Sequence, residues 1–373
     1  MLSMCWDKVG GVRVRAWMLV LIGVAVGVGV LLTSCSLVDR VFSPSLFEDK
    51  NLEAAVAAEL GVRPSRLTPE KLLELEELDA GGQSIQSLGG IENCRNLQEL
   101  ELWKNEISDI TPLAGLTQLT ELWLGFNRIS DLTPLAGLTQ LTRLELDDDQ
   151  ISDLTPLAGL TQLTELSLWN NEISDITALA GLTQLTSLWL YYNEISDITP
   201  LAGLTQLTEL SLSRNQISDL TPLAGLTQLT RLYLTNNQIV DITPLAGLTQ
   251  LTELGLDGNE IADIMSLAGL TQLTELSLYD NEISDLTPLA GLTQLTRLYL
   301  TNNQISDLTP LAGLTQLTRL SLYGNEISDI TALAGLTQLT GLDVRENPLD
   351  LSEGSAAMEV IRTLEDRGVD VTY

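Results

Sequence analysis

A 22-residue unit recurs along most of this chain, and that period constrains the fold more than any other feature. A unit so short cannot bury a hydrophobic face by itself, so neighbouring units must stack and supply the burial to one another. From Leu273 the chain reads LTELSLYDNEISDLTPLAGLTQ, and near-copies run from about Leu97 to Thr340. Asparagine falls at 105, 127, 171, 193, 215, 237, 259, 281, 303, 325 and 347, with Asp149 the one departure inside that series. Extended backward, the frame still fits Leu75, Leu78, Ala80, Gln83 and Ile85, so thirteen turns are readable.

In LxLxL, alternate residues point to one side of a short strand, and each strand pairs in parallel with its counterpart one repeat along. Seven leucine or isoleucine positions per turn, such as Leu97, Leu100, Leu102, Ile107, Ile110, Leu113 and Leu116, then line one continuous core. Each such side chain, fully buried, contributes roughly 1.5–3 kcal/mol, and only while its neighbours are in place. The asparagine must satisfy backbone in a tight turn, because a buried amide is costly unless its N–H groups and oxygen are bonded. An ionised carboxylate only accepts, so the Asp149 turn is either a weak point or has a compensating partner. Past the asparagine, Asp-Leu-Thr-Pro-Leu-Ala-Gly-Leu predicts a short helical or 3-10 turn, with Thr155 and its equivalents capping and proline opening the turn. Asp109, Asp131, Asp153 and their repeats to Asp329 should stack as a like-charge column, either relieved by calcium or salt or bonded to nearby turn N–H groups.

The frame LxxLxLxxNxI matches the leucine-rich repeat pattern. That match implies a leucine-rich repeat solenoid: an α/β right-handed superhelix, with a parallel sheet on its concave face and short 3-10 or helical turns on its convex face. Over roughly residues 46 to 373 the repeats resemble those of bacterial internalin-like surface proteins. Both flanks read as caps, which a solenoid needs to shield its end repeats. Leu52, Ala55, Val56, Glu59 and Leu60 have helical spacing and Thr68-Pro69 starts a second helix, giving a helical N-terminal cap over 46–74. Repeats occupy 75–346. Asn347-Pro348-Leu349 then breaks the period, Met358, Ile361 and Leu364 mark a helix stopped at Gly368, and Val369-Asp370-Val371 reads as a closing strand in a C-terminal cap over 347–373. Internalins are generally held to cell wall by C-terminal segments; this sequence ends at Tyr373 with none, so their anchoring mode is not carried over.

Residues 1–34 read as a signal peptide, with Lys8, Arg13 and Arg15 ahead of an uncharged run from Ala16 to Leu32. The run ends at Leu32-Thr33-Ser34-Cys35, a tetrad that resembles the bacterial lipobox. The resemblance implies cleavage before Cys35 and lipid on that cysteine, with residues 35–45 as a lipidated tether. The alternative is an uncleaved signal anchor, the 17 apolar residues lying at the lower edge of the ~17–25 that span a bilayer. In either case basic residues precede the segment, and the repeats beyond it are exported. The chain is expected to sit outside the cytoplasm on a bacterial membrane, at the cell surface or in the periplasm.

Fifty acidic against nineteen basic side chains give a net charge of -31, which opposes the phosphate neutralisation that nucleic-acid binding needs. The absence of histidine removes the commonest general base and every imidazole zinc site. Paired carboxylates such as Glu99 and Glu121 lack a closed pocket to shift their pKa values, so neither catalysis nor a cofactor is expected. Glu145, Asp147, Asp148 and Asp149 form the densest acidic group and are the candidate metal ligands, although their spacing matches no calcium loop. Cys94 stands where later repeats have leucine and reads as an apolar filler.

Comparing the repeats with one another separates scaffold from surface. The ISDLTPLAGLTQ half hardly changes, whereas the gaps of the LxLxxN half vary, and those gaps project from the concave side. Eleven of the sixteen aromatic residues lie in the array, all in those gaps. Trp103, Trp123, Phe126, Trp169, Trp189, Tyr191, Tyr192, Arg214 and Tyr233 are therefore the candidate ligand-binding residues, with Trp169, Trp189, Tyr191 and Tyr192 expected to form one patch. β-propensity alone also favours aromatics in strands. The reading is a binding module for a protein partner; a glycan is the alternative occupant of the same face.

Overall fold

The computed structural model describes residues 45–373. The expected signal peptide, the lipidation site at Cys35 and the tether as far as Pro44 lie outside the described residues.

Three-residue strands recur every 22 residues from β1 (Glu77–Asp79) and β2 (Glu99–Glu101) to β13 (Gly341–Asp343), and β14 (Asp370–Thr372) follows. Among the described residues the fourteen strands make one parallel sheet in sequence order, each in register with the equivalent residues of the next, as Leu78 with Leu100 and Leu100 with Leu122. The leucine-rich repeat solenoid expected from the period is what forms. Its core is the seven-residue leucine and isoleucine set of every turn, and Leu97, Leu100, Leu102, Ile107, Leu113 and Leu116 are wholly excluded from solvent. Cys94 joins that core, and burial pushes its thiol up to about 12. The ladder continues past each short strand, with Leu102 N–H donating to Trp123 O and Lys104 N–H to Gly125 O, both at 2.8 Å.

The asparagines close the turn between strand and 3-10 segment. Asn215 Oδ1 accepts from Ile195 N–H at 3.0 Å, while its Nδ2 donates to Leu190 O at 2.9 Å and to Leu212 O at 3.0 Å. One amide thus satisfies three backbone groups from two adjacent turns. The same set recurs from Asn105 to Asn347.

The opposite side carries 3-10 turns such as Thr155–Gly159. Thr155 does not cap this turn. It is the first residue inside it, and the acceptor is Asp153 Oδ1, which takes Thr155 N–H at 2.8 Å. Asp109, Asp131, Asp175, Asp197 and Asp219 do the same for their own threonines. The threonine hydroxyl, then its N–H, hold these carboxyls below the ordinary aspartate range. Hydrogen bonding to the ionised form therefore outweighs repulsion within the column. Because the folded pKa values are depressed, this stability is present above the ordinary aspartate pKa and is lost as pH falls through the folded values. Molar sodium chloride at neutral pH is expected to leave the thermal midpoint nearly unchanged; a large salt-induced rise in a thermal melt would show repulsion to dominate instead.

Helices close both ends. At the N-terminus α1 (Lys50–Glu59) is capped by Asp49 Oδ1, which accepts from Asn51 N–H at 2.7 Å, and it buries Leu52, Val56 and Ala57. A single helical turn, α2 (Pro69–Leu72), starts at Thr68, whose hydroxyl accepts from Lys71 N–H. At the C-terminus α3 (Ala356–Glu365) buries Ala357, Val360, Ile361 and Leu364 and leads into β14.

Candidate functional site

The variable half of each repeat supplies side chains from three successive places. Trp123, Trp189 and Tyr233 end their strands, β3 (Glu121–Trp123), β6 (Ser187–Trp189) and β8 (Arg231–Tyr233). Trp103, Trp169 and Tyr191 come two residues past a strand end, and Phe126, Tyr192 and Arg214 one residue later. That last place is a left-handed corner: φ is +60° at Phe126, +58° at Tyr192 and +56° at Arg214, and Lys104, Asp148 and Asn170 match them. For a bulky residue this conformation costs on the order of 1–2 kcal/mol. It is held by the continuing ladder, in which Phe126 N–H donates to Asp147 O at 2.6 Å and Tyr192 N–H to Ser213 O at 2.9 Å. The corner was legible in part, since asparagine at 170, 236 and 302 and glycine at 258 and 324 are the residues that enter this region most easily.

The corner decides which rings meet. Trp169 stacks on Tyr191 with centroids 5.2 Å apart and planes 5° from parallel. Phe126 meets Trp169 edge-on at 5.4 Å, Tyr191 meets Tyr192 edge-on at 6.0 Å, and the Arg214 guanidinium lies over Tyr192 at 4.6 Å. Five side chains thus form one connected row from residue 126 to residue 214, with Phe126, Tyr192 and Arg214 exposed. Trp189 stands apart from the row. It lies in the strand column, where its Nε1 donates to Glu209 Oε1 at 3.2 Å. Trp123 is likewise separate, beneath the Arg143 guanidinium at 5.4 Å, and the Tyr233 hydroxyl donates to Glu253 at 2.7 Å. Trp103 is seated on Gly81, where a Cβ would come within 2.4 Å of the indole nitrogen.

Between the turns that carry Phe126 and Trp169 lies the acidic group at 147–149. Its members separate rather than converge. Glu145 pairs with Arg143 at 2.6 Å, Asp148 accepts from the Asn170 amide, and Asp147 is buried, accepting from Ser167 Oγ at 2.5 Å and Trp169 N–H at 3.1 Å. Asp149 occupies the asparagine ladder, taking Ile129 N–H on Oδ1 at 2.8 Å while its Oδ2 is buried without a partner. Burial pushes Asp147 up to about 6 and Asp149 up to about 7. Among the described residues no group of three or more acidic or cysteine side chains is arranged to hold a metal ion. Glu99 is raised by partial desolvation and then by Glu77, Glu121 and Glu101, the first two directly opposite it on neighbouring strands.

Beside this geometry stand the chain's likenesses to known proteins. The family described as Leucine Rich repeats (2 copies) matches residues 117–159, 161–203, 183–225, 205–247, 227–269 and 271–313. An internalin of Listeria monocytogenes, InlF, is 38% identical, with 88% of this chain and 95% of that chain covered and a TM-score of 0.84. The chain belongs to the internalin-like leucine-rich repeat family. The functional domain of InlJ, also from Listeria monocytogenes, is 25% identical over 80% of each chain with a TM-score of 0.50. It includes a cysteine ladder, whereas this internalin-like chain carries asparagine in its ladder and Cys94 alone in its array. A leucine-rich repeat protein of Leptospira interrogans shares the fold at 24% identity, with 78% of this chain and 82% of that chain covered and a TM-score of 0.69. No curated protein matches the chain in sequence. Among the described residues no helix is long and apolar enough to cross a membrane.

Proposed function

We propose that this internalin-like chain is an extracytoplasmic capture module, held on a bacterial membrane through Cys35, that binds a protein partner across the Phe126–Arg214 row. The observation that supports this reading is the row itself. Scattered exposed aromatics need no explanation, but five side chains in continuous ring and cation contact, three of them exposed in left-handed corners, form a contiguous apolar surface edged by charge. Tyrosine, tryptophan and arginine are the types that dominate protein hot spots, and their rings are already ordered by one another, so little conformational entropy is lost on binding. Nothing in the repeats requires these rings, since every core position there is leucine, isoleucine or another small apolar residue.

The test compares the wild-type chain with Trp169→Ala, Tyr192→Ala and the double variant, each immobilised and exposed to proteins from the surface of co-occurring cells. Partner capture is expected to fall about tenfold or more for each single change, at unchanged far-UV circular dichroism. Full capture by the double variant would remove the row from the function. Binding to a glycan array that is lost in the same variants would reassign the row to sugars. Mass spectrometry of the mature N-terminus addresses the anchor: a diacylated or triacylated Cys35 is expected, and an intact Met1 would favour an uncleaved signal anchor.

A further inference from the structure

Four arginines open strands on the concave face: Arg143 in β4 (Arg143–Glu145), Arg231 in β8, Arg297 in β11 (Arg297–Tyr299) and Arg319 in β12 (Arg319–Ser321). Three of them pair with a glutamate on an adjacent strand, Arg143 with Glu165 at 3.3 Å, Arg231 with Glu209, and Arg297 with Glu275 at 3.2 Å. Arg319 makes no such pair. The residues opposite it are Arg297 on one side and Gly341 on the other. Like charges directly opposite on neighbouring strands are destabilising, and in a chain of net charge -31 an arginine set beside another arginine is conspicuous.

The same column continues past Gly341 to Asp370 on β14, whose carboxylate makes no hydrogen bond or ion pair either. Position 341 contributes no side chain, and a Cβ there would meet nothing within 4 Å. A gap therefore opens between an unpaired guanidinium and an unpaired carboxylate. It is a cavity of about 310 Å³, walled by Tyr299, Arg319, Ser321, Asp343, Asp370 and Thr372. Asp343 is already held by Arg345 at 2.7 Å, which leaves Arg319 and Asp370 as the charges with open valence.

We propose that this cavity binds a small zwitterion of the amino-acid or dipeptide class, with its carboxylate on Arg319 and its ammonium on Asp370. Each simpler ligand meets an obstacle. A plain anion must approach against the field of a strongly acidic molecule, and a plain cation would be set beside Arg319 and Arg297. A zwitterion carries no net charge to be repelled and gives both unpaired groups a charge-assisted hydrogen bond. The volume lies at the small end of ligand cavities, which suits one or two residues. The site lies in the last turns of the array, separate from the Phe126–Arg214 row, so the two proposals stand or fall independently.

Isothermal titration of the 373-residue chain with leucine and glycyl-leucine, against N-acetyl-leucine and leucinamide, tests it. Saturable binding of at least one zwitterion is expected, with both capped compounds about tenfold weaker or more, because each lacks one charged contact. Arg319→Gln and Asp370→Asn, both at exposed positions, are each expected to weaken the zwitterion about tenfold at an unchanged thermal midpoint. Gly341→Val is expected to abolish binding by filling the gap. No heat with either zwitterion, equal binding of a capped compound, or full binding by Arg319→Gln would overturn the assignment; should Gly341→Val fail to fold, the two surface variants decide alone.

Discussion

Asp149→Asn raises the thermal midpoint of the chain at about pH 8 and shortens the pH range over which its stability changes. In a regular turn two asparagine amides share each leucine carbonyl, as Leu168 O takes Asn171 at 3.1 Å and Asn193 at 3.0 Å. Leu124 O and Leu146 O each take one amide, from Asn127 and Asn171, because the side chain that should supply the second is Asp149. Its Oδ2 stands where other turns have a donor, buried and unpartnered. Burial disfavours the ionised form and pushes the group up to about 7, and protonation turns that oxygen into a donor.

Because the folded pKa lies above the ordinary aspartate value of 3.8, the folded chain binds more protons than the unfolded one between these limits. Its stabilising contribution is complete below about pH 4 and is lost as pH rises to about 7, a difference on the order of 4 kcal/mol at most. Asparagine carries its donors at every pH, so the variant is expected to recover about 2–4 kcal/mol at pH 8 and little at pH 4. Asp147, raised to about 6, retains a shorter slope in the variant that ends near that value. Chemical denaturation at a series of pH values checks both statements. A variant no more stable than wild type at pH 8 would mean that the turn has relaxed around the ionised acid.

The second large effect separates two adjacent residues. Leu188→Ala is expected to destabilise the chain by about 2–5 kcal/mol, since Leu188 is completely buried in the middle of the array and the turns on either side cannot collapse into the cavity. Trp189→Ala, one residue along and on the opposite face, is expected to cost roughly 1 kcal/mol or less, removing mainly a partly exposed hydrogen bond to Glu209. Urea melts of the two variants measure this. Similar losses would mean that the indole is part of the scaffold, which would also weaken the assignment of the variable gaps to function.

Much of the molecule was legible because its stabilising contacts are translational. A residue at one position of the period meets the same position in the next turn, so strands, core and asparagine ladder follow from counting by 22. The caps were legible for an equally local reason: Thr68-Pro69 and the spacing of Met358, Ile361 and Leu364 carry helix signals that do not depend on distant partners. The capping of the 3-10 turns was misread at Thr155. The preceding aspartate and the threonine are both credible caps in sequence, and only the backbone path shows that the aspartate lies outside the turn and the threonine inside it.

Within the aromatic set, sequence placed every ring in a variable gap but grouped Trp189 with Trp169, Tyr191 and Tyr192. The structure replaces Trp189 with Phe126 and adds Arg214. Neighbours in sequence leave a strand end in different directions once the next residue enters a left-handed corner, and Phe126 reaches Trp169 across a turn whose own side chain, Asp147, is drawn inward.

What the sequence determined by itself is the repeating scaffold: period, strand, core, ladder and the half of each repeat that is free to vary. Tertiary structure alone decided what the exceptions do, that Asp149 leaves two carbonyls short of a donor, that Phe126 joins the ring row, and that Arg319 faces Asp370 across an empty position. A periodic contact is specified by one residue and a constant offset. An exception is specified by which side chains its neighbours two turns away present, in which direction and with which charges already paired, and those are fixed only when the turns are stacked.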